Sequence, residues 1–226
     1  MSWIKSRILS SIPGVVHGFG QRGSGSPDDI SGAFGLKKIA RLKQVHGNKI
    51  VFTDEVEIFE APHPEGDGLI NALKGFGVAA AAADCVPVLF ADDKGTVTAA
   101  VHAGWRGTLA EISAEALRLI DERYGIPPSR MRAVIGPSIK PCCYEVSEDV
   151  ASLFLGKYGG SGDYIYEKGG GKYLLDLPRM NAIILEREGA GAIETLAHCT
   201  KCDGSFYSYR REGKGVPSQL SFIGLL

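Results

Sequence analysis

The sequence predicts an α+β fold in which mixed β-sheets are flanked by helices, within a single domain covering residues 1–226. Segments typical of strands and helices follow one another without a regular strand–helix–strand repeat, which argues against a doubly wound sheet. The 30 glycines are about twice the average usage of roughly 7 %. They are scattered without a period, which favours many turns between short strands, and no linker or internal repeat divides the chain.

The composition excludes several classes of protein. Apolar residues make up 44 % and charged residues 23 % of the chain, which are values typical of a folded globular protein. The net charge is −1 and no basic patch stands out, so we expect no nucleic-acid partner. No signal peptide and no stretch of about 18 apolar residues is evident, so we expect no membrane partner. Five cysteines, an odd number, are typical of reduced thiols, and the chain is predicted to be cytoplasmic.

The first fifty residues are predicted to contain short strands separated by loops. Residues 15–19 are typical of a strand, and residues 20–35, rich in Gly, Ser, Asp and Pro, are predicted to be a mobile loop. The first half of residues 36–52 is predicted to form a helical turn. Residues 50–52 then form a strand beyond a Gly-Asn turn.

The middle of the chain contains a buried strand pattern with a polar interruption. A turn at residues 66–68 leads into a strand, and residues 78–90 carry apolar side chains on both faces. Asp84 and Cys85 interrupt this apolar run. Because a buried polar group is costly unless it is satisfied, such a conflict often indicates a functional site.

A helix is predicted after the next strand, residues 96–101, which leads to His102. Thr108 and Glu111 have the spacing of a capping box, and Gly125 is predicted to end the helix. The remaining predicted elements are a strand at 132–135, a helix from Ser147 to about residue 155, a helix at 178–188 capped by Asp176, a strand at 206–209 and a strand at 221–223 that closes a sheet.

Three side chains at the ends of strand-like segments are candidate metal ligands: His46, Cys85 and His102. Two imidazoles and one thiolate suit zinc, and three protein ligands leave one position open, as in catalytic zinc sites. The spacing alone also fits a buried, inert Cys85 with histidines that only hydrogen-bond in turns.

Two further motifs remain open on sequence grounds. Cys199 and Cys202 form a CxxC pair, but Cys142 and Cys143 are adjacent and are predicted to chelate poorly, so ordinary thiols are expected. Arg106 lies at the predicted start of the helix and is a candidate anion contact, although a simple turn with a solvated arginine explains it equally well.

Seven segments in this order resemble the YfiH/YlmD family of laccase-domain, purine nucleoside phosphorylase YfiH-like proteins. They are KQVHG at 43–47, GDGL at 66–69, ADCVPVL at 83–89, VHAGWRGT at 101–108, IGPSI at 135–139, YEV at 144–146 and FYSYRR at 206–211. The resemblance implies a fold similar to that of cytotoxic necrotizing factors and a zinc ion, with copper as the alternative, held by His46, Cys85 and His102.

The resemblance also implies a function. The expected activities are phosphorolysis of adenosine, inosine and methylthioadenosine, and deamination of adenosine, with a purine nucleoside and phosphate as the small-molecule partners. Cys85, His102 and Asp84 are then the candidate catalytic residues, with Asp84 either an acid–base group or an orienting residue. Arg106 and Gln44 are the candidate contacts to substrate or phosphate.

Two features depart from the family pattern. Residues 20–42 are shorter than the usual segment, which changes one wall of the expected pocket. The final arginine that usually follows the Arg210-Arg211 motif is absent, and Val216 follows Gly215 instead. The second departure removes a candidate phosphate contact.

Three other functions are weighed against the purine enzyme. In a metal-independent hydrolase or deamidase, Cys85 would be the nucleophile and His102 its base. Copper-dependent phenol oxidation is disfavoured, because five histidines are few for a multinuclear copper centre. A purely structural zinc would need a fourth ligand, for which His17, Cys199 and Cys202 are the candidates.

Overall fold

A computed structural model describes residues 3–55, 61–160 and 162–226. The described strands are β1 (Trp3–Ile4), β2 (Val15–Gly20), β3 (Lys38–Ala40), β4 (Ile50–Phe52), β5 (Gly68–Asn71), β6 (Phe76–Ala82), β7 (Val86–Asp92), β8 (Thr98–Ala103), β9 (Met131–Ile135), β10 (Glu145–Ser147), β11 (Ile165–Gly169), β12 (Lys172–Leu175), β13 (Ala192–Thr195) and β14 (Gln219–Leu225). The helices are α1 (Arg7–Ser10), α2 (Pro27–Phe34), α3 (Trp105–Leu109), α4 (Ile112–Tyr124), α5 (Glu148–Tyr158), α6 (Leu177–Arg187) and α7 (Tyr209–Glu212), with a 3₁₀ turn at Pro128–Arg130.

Two mixed sheets form the centre of the molecule. One has five strands in the order β1-β2-β14-β6-β3, and the other has six in the order β13-β9-β7-β8-β5-β4. A third sheet, β10-β12-β11, has three strands. Parallel and antiparallel pairs occur within both large sheets, so the predicted α+β class with mixed sheets is confirmed.

The alternation of side chains along β7 shows why the two large sheets stack. Val86, Val88 and Phe90 face the helices, whereas Leu89 and Ala91 pack in the core shared with the five-stranded sheet. A strand that is apolar on both faces must be covered on both faces, because exposure of either would cost about 25 cal/mol per Å² of apolar surface. Helices α4, α5 and α6 cover the outer face of the six-stranded sheet, and α2 covers the outer face of the five-stranded sheet.

The predicted strand pattern at 78–90 is interrupted where Asp84 and Cys85 stand, as expected. β6 belongs to the five-stranded sheet and β7 to the six-stranded sheet, so the connection 83–85 crosses from one sheet to the other. The polar pair therefore marks the place where the chain changes sheets.

The expected loop at 20–35 and helical turn after residue 36 are both wrong. Residues Pro27–Phe34 form α2, because Ser26 and Asp29 make a reciprocal capping box, Pro27 occupies the first turn, and Gly35 ends the helix at φ +72°. Residues Lys38–Ala40 form β3, which pairs in parallel with β6.

The predicted capping box of Thr108 and Glu111 is also wrong. The helix is broken into α3 and α4, since Glu111 adopts φ +59° between them. The Thr108 hydroxyl is buried and accepts a hydrogen bond from Asn181, while Glu111 pairs with Arg187. The side chains of Thr108 and Glu111 therefore bind residues of α6 and do not cap a helix locally.

The second half of the chain confirms most of the predicted elements. Ser147 precedes α5, which ends at Tyr158, and Asp176 caps α6 by accepting from the Arg179 amide. The strand expected at 206–209 is wrong, because Ser208 caps the short helix α7 there. In the described part of the chain, no helix is both long enough and apolar enough to cross a membrane.

Candidate metal centre and cavity

The strand register brings Cys85 and His102 together. Val86 pairs with Ala103 at the start of the antiparallel β7–β8 ladder, so the residues flanking that pair lie at one end of the sheet. His46 reaches the same place from the loop after β3. Its ring lies edge-on to that of His102, with ring centres 4.9 Å apart. The candidate ligand atoms of His46, Cys85 and His102 all lie within 4.8 Å of one another.

Asp67 holds the loop that carries His46. Its carboxylate accepts hydrogen bonds from the backbone amides of Val45, His46 and Gly47 at 3.3, 2.9 and 2.8 Å. These bonds stabilise the left-handed backbone of His46, which has φ +60°. Such a conformation costs energy in a residue with a side chain, and it persists where surrounding contacts fix it.

The same carboxylate orients His102. His102 Nδ1 lies 2.9 Å from Asp67 Oδ1, and both side chains are buried. An ionised carboxylate can only accept, so Nδ1 carries the hydrogen and Nε2 is available to a ligand. A carboxylate behind a histidine is the usual arrangement around metal-binding imidazoles.

The two histidines change the chemistry of Cys85. Burial opposes the thiolate, but hydrogen bonds with His102 and His46 outweigh it and lower the pKa of Cys85 to about 6. Burial also opposes protonation of His102, yet its contacts with Asp67 and Cys85 raise the pKa of that imidazole to about 9. Cys85 is therefore a thiolate near neutral pH, which is the form that binds metals and attacks electrophiles.

Gly104 leaves the space in which the three ligands meet. A Cβ atom at this position would lie 3.2 Å from Cys85 Sγ and 3.2 Å from His46 Cδ2. These distances are tight for a carbon contact, so a side chain would displace the ligands. Glycine at the turn between β8 and α3 thus preserves the cluster.

The three-residue set has no fourth His, Cys, Asp or Glu ligand within the described parts of the chain. His17, one candidate for the fourth ligand, lies on β2, where its Nε2 accepts from the Ser6 amide at 2.9 Å. Cys199 and Cys202 belong to a different group. The arrangement matches sites that leave a coordination position open.

A cavity of about 600 Å³ adjoins the cluster. Its size suits a small organic molecule. Among the described residues, its lining includes the large aromatic side chains of Trp105, Tyr144 and Tyr209 and the side chains of Arg106 and Arg210. Arg106 is exposed and lies over the Trp105 ring, with Cζ 4.3 Å from the ring centre.

Asp84 lies in the cavity lining, but both its carboxylate oxygens have partners. The Thr200 hydroxyl donates to Oδ1 at 2.6 Å, and the Arg210 amide donates to Oδ2 at 2.7 Å. Asp84 has φ +97°, and its carbonyl accepts from the Ile139 amide. Asp84 therefore links the segment that contains Thr200 and Arg210 to the connection between β6 and β7.

Gln44 lines the cavity as well, and its amide is likewise occupied. Its Nε2 donates to the Ala81 carbonyl at 2.7 Å, and its Oε1 accepts from the Ala81 amide at 2.8 Å. The side chain extends the edge of β6 as a backbone strand would, which fixes the segment that leads to His46.

Sequence reasoning missed two features of this region. Asp67 is present in the GDGL segment, but its contacts with His46 and His102 require knowledge of the fold. The expectation that adjacent Cys142 and Cys143 do not pair with Cys199 and Cys202 is wrong, because all four sulfur atoms lie within 4.8 Å of one another. Adjacency in sequence does not prevent two cysteines from facing a common centre when the turn between strands directs both.

Comparisons with known proteins identify relatives of this chain. A sequence model of the family described as multi-copper polyphenol oxidoreductase laccase matches residues 28–226. A purine nucleoside phosphorylase of Deinococcus radiodurans is 36 % identical over 192 residues, which are 85 % of this chain and 72 % of that protein. Adenosine deaminase RL5 from an unknown prokaryotic organism is 31 % identical over 202 residues, covering 84 % of this chain and 75 % of that protein.

A solved structure extends the similarity to the fold. The crystal structure of YlmD from Geobacillus stearothermophilus superposes with a TM-score of 0.86 at 28 % identity, covering all of this chain and 96 % of that one. Its fold and the sequence matches lead to the same assignment. The chain belongs to the YfiH/YlmD family of enzymes, whose sequence model is described as a multi-copper polyphenol oxidoreductase laccase.

Proposed function

We propose that this chain is a zinc-dependent enzyme of purine nucleosides, which cleaves them with phosphate and deaminates adenosine. The observation that carries the proposal is the three-ligand cluster of His46, Cys85 and His102 beside a cavity of nucleoside size. Relatives named purine nucleoside phosphorylase and adenosine deaminase support both activities.

Zinc fits the residues present. The set contains two imidazoles and a thiol whose pKa is lowered to about 6. Asp67 is bonded to His102 Nδ1, which leaves His102 Nε2 available to a metal ion. When bound, zinc supplies a Lewis acid able to activate water at neutral pH. The second possible metal group of the described residues consists of four cysteines and no histidine, so the chain offers little support for a multinuclear copper centre.

The cavity lining suggests how a nucleoside would bind. The faces of Trp105, Tyr144 and Tyr209 offer stacking surfaces for a purine. Arg106 provides a cation for phosphate, and its position over Trp105 restricts its rotamers. Val216, where the usual arginine is absent, also lines the cavity, so Arg106 and Arg210 carry the positive charge there.

We assign positioning roles to Asp84 and Gln44. The Asp84 carboxylate accepts short hydrogen bonds from the Thr200 hydroxyl and the Arg210 backbone amide, and these bonds hold it in place. Both polar atoms of the Gln44 side-chain amide are hydrogen-bonded to the backbone of Ala81. Of the two roles considered for Asp84, the geometry favours orientation of the wall beside Cys85 over proton transfer.

The test combines metal analysis with product detection. Purified protein is incubated with adenosine, with and without phosphate, and adenine and inosine are measured alongside zinc content. We expect both products, and we expect His46→Ala, Cys85→Ala and His102→Ala each to remove one zinc equivalent and the activity. His63→Ala is the matched control, since His63 lies outside the cavity lining. Full activity in a variant that lacks this zinc would refute the metal's role.

A second candidate function has its own supporting observation. Cys85, His102 and Asp67 form a thiolate, imidazolium and carboxylate series like that of cysteine hydrolases and deamidases. In this case, activity survives complete removal of zinc by a chelator but is lost on alkylation of Cys85. Loss of activity on chelation, with recovery on zinc addition, supports the zinc enzyme instead.

A further inference from the structure

Four cysteines outside the cavity converge from two distant parts of the chain. Cys142 and Cys143 lie in the turn before β10, and Cys199 and Cys202 follow β13. β9 and β13 pair in parallel, and a bridge between Ser138 and Cys199 continues that alignment beyond the strand ends. The two cysteine pairs therefore meet because their parent strands are neighbours.

The sulfur atoms have the spacing of a single tetrahedral ion. All four lie within 4.8 Å of one another. Cys142 Sγ is 3.7 Å from Cys143 Sγ, 3.7 Å from Cys199 Sγ and 3.8 Å from Cys202 Sγ, and Cys143 Sγ is 3.2 Å from Cys202 Sγ. A tetrahedron with zinc–sulfur bonds of about 2.3 Å has edges of about 3.8 Å. An iron–sulfur cluster, whose cysteines bind separate irons, would need wider spacing.

A buried positive charge faces this group. Lys140 Nζ is buried and has no hydrogen-bond partner among the described residues, and the titratable side chains near it are those of Asp176, Cys199 and Cys142. A buried ammonium without a partner is costly. A divalent ion held by four thiolates carries a net charge of −2, and Lys140 would partly neutralise it.

Backbone groups also point toward the sulfurs. The backbone amides of Cys202, Lys140 and Lys201 lie close enough to Cys199 Sγ to favour its thiolate. Such donors stabilise thiolate charge in a fixed geometry. Cys142 and Cys202 are exposed, which gives an ion access from solvent.

We propose that Cys142, Cys143, Cys199 and Cys202 form a second metal site, which binds one Zn²⁺ tetrahedrally and serves a structural role. The four thiols lose their protons to solvent as the metal binds, with no redox change. Four protein ligands fill the coordination sphere, in contrast to the three-ligand cluster beside the cavity.

The site would fasten one wall of the cavity. Tyr144 lines the cavity directly after Cys143, and Thr200, next to Cys199, donates to Asp84. Arg211 Nη1 donates to the carbonyls of Thr200 and Lys201, and the Arg210 guanidinium carbon lies 5.2 Å from the Tyr144 ring centre. Joining the two cysteine segments therefore fixes Tyr144 relative to Arg210.

The first test counts metal ions and does not depend on any catalytic activity. We expect two zinc ions per chain in the purified protein and one in Cys85→Ala. The Cys143→Ser and Cys202→Ser variants should also contain one, with the ion at the cavity cluster retained. One zinc in the unsubstituted chain that Cys85→Ala removes entirely would overturn the second site and leave the proposed function standing.

A second test avoids variants that fail to fold. Cobalt is substituted for zinc in the unsubstituted chain and in Cys85→Ala. We expect the strong thiolate-to-cobalt charge-transfer absorption of a four-sulfur site to persist in Cys85→Ala. If the absorption disappears, or if mass spectrometry of unreduced protein shows a Cys143–Cys202 disulfide at full occupancy, the proposal is wrong.

Discussion

Asp67 is the residue on which the candidate metal centre depends most. One carboxylate fixes the backbone around His46 and the ring of His102, so two of the three ligands share a single support. Hydrogen bonds from His102 and the backbone keep the pKa of Asp67 below its usual value, although burial acts in the opposite direction. The carboxylate is therefore ionised at neutral pH and can only accept.

We predict that Asp67→Asn weakens zinc binding by about 10–100-fold, the range typical for loss of a group that orients a metal-binding histidine. The amide keeps the size of the side chain but offers a donor where His102 and the backbone amides need acceptors. Affinity is measured by competition with a chromogenic chelator. Asp93→Asn, at an exposed pair with Arg130, is the matched control. Unchanged affinity in Asp67→Asn would contradict the role given to Asp67.

Gly104 provides a second residue-level prediction. Gly104→Ala places a methyl group 3.2 Å from Cys85 Sγ and from His46 Cδ2, so we expect loss of zinc from the cavity cluster and of activity while the chain remains folded. Circular dichroism and metal analysis separate the two effects. Gly156→Ala is the control, because open space surrounds that position on α5. It should retain metal and gain about 0.5–1 kcal/mol of stability.

At the scale of elements, a buried polar network joins α3, α4 and α6. Asn181 on α6 donates to the Thr108 hydroxyl at 3.0 Å and to the Leu177 carbonyl at 3.0 Å, and it accepts from the Ser113 hydroxyl at 2.8 Å. The side chains of Asn181, Thr108 and Ser113 are all buried. The network sets the position of α3, which carries Trp105 and Arg106 into the cavity lining.

We predict that Asn181→Ala destabilises the protein by roughly 2–4 kcal/mol, because it leaves the hydroxyls of Thr108 and Ser113 buried without their partner. Chemical denaturation measures the free energy of unfolding. The double variant Asn181→Ala/Ser113→Ala should lose less free energy of unfolding than the sum of the two single variants, because either change removes the same hydrogen bond. Full additivity would show that Ser113 and Asn181 do not interact.

At the scale of the whole molecule, local patterns predicted the class of fold and the three side chains that converge in the candidate metal cluster, but not the residues that support them. His102 and Cys85 could be predicted because each stands at a strand end marked by its own sequence. The partnership of Cys142 and Cys143 with Cys199 and Cys202 arises from the pairing of β9 with β13, which no local pattern encodes. Helix α2 was missed because its Gly, Ser, Asp and Pro residues, typical of loops, also form its caps.

The packing of the N-terminal segment on the five-stranded sheet makes the stability of the whole molecule depend on pH. His17 lies on β2, buried, and its Nε2 accepts a hydrogen bond from the Ser6 amide. Burial, with a further contribution from Lys5, lowers the pKa of His17 to about 4. Protonation would destroy the acceptor and place a charge in the core, so the folded protein resists it.

The sign of the effect follows from the proton balance. Between pH 6.5 and 4 the unfolded chain binds a proton at His17 that the folded chain does not, so stability falls as the pH falls. From the pKa of about 4, this one residue should cost about 2 kcal/mol between pH 7 and pH 5. We predict that His17→Gln, whose oxygen can still accept from Ser6, reduces the pH dependence of the unfolding free energy by that amount. Urea denaturation at both pH values measures it, and an unchanged slope would show that His17 titrates normally in the folded protein.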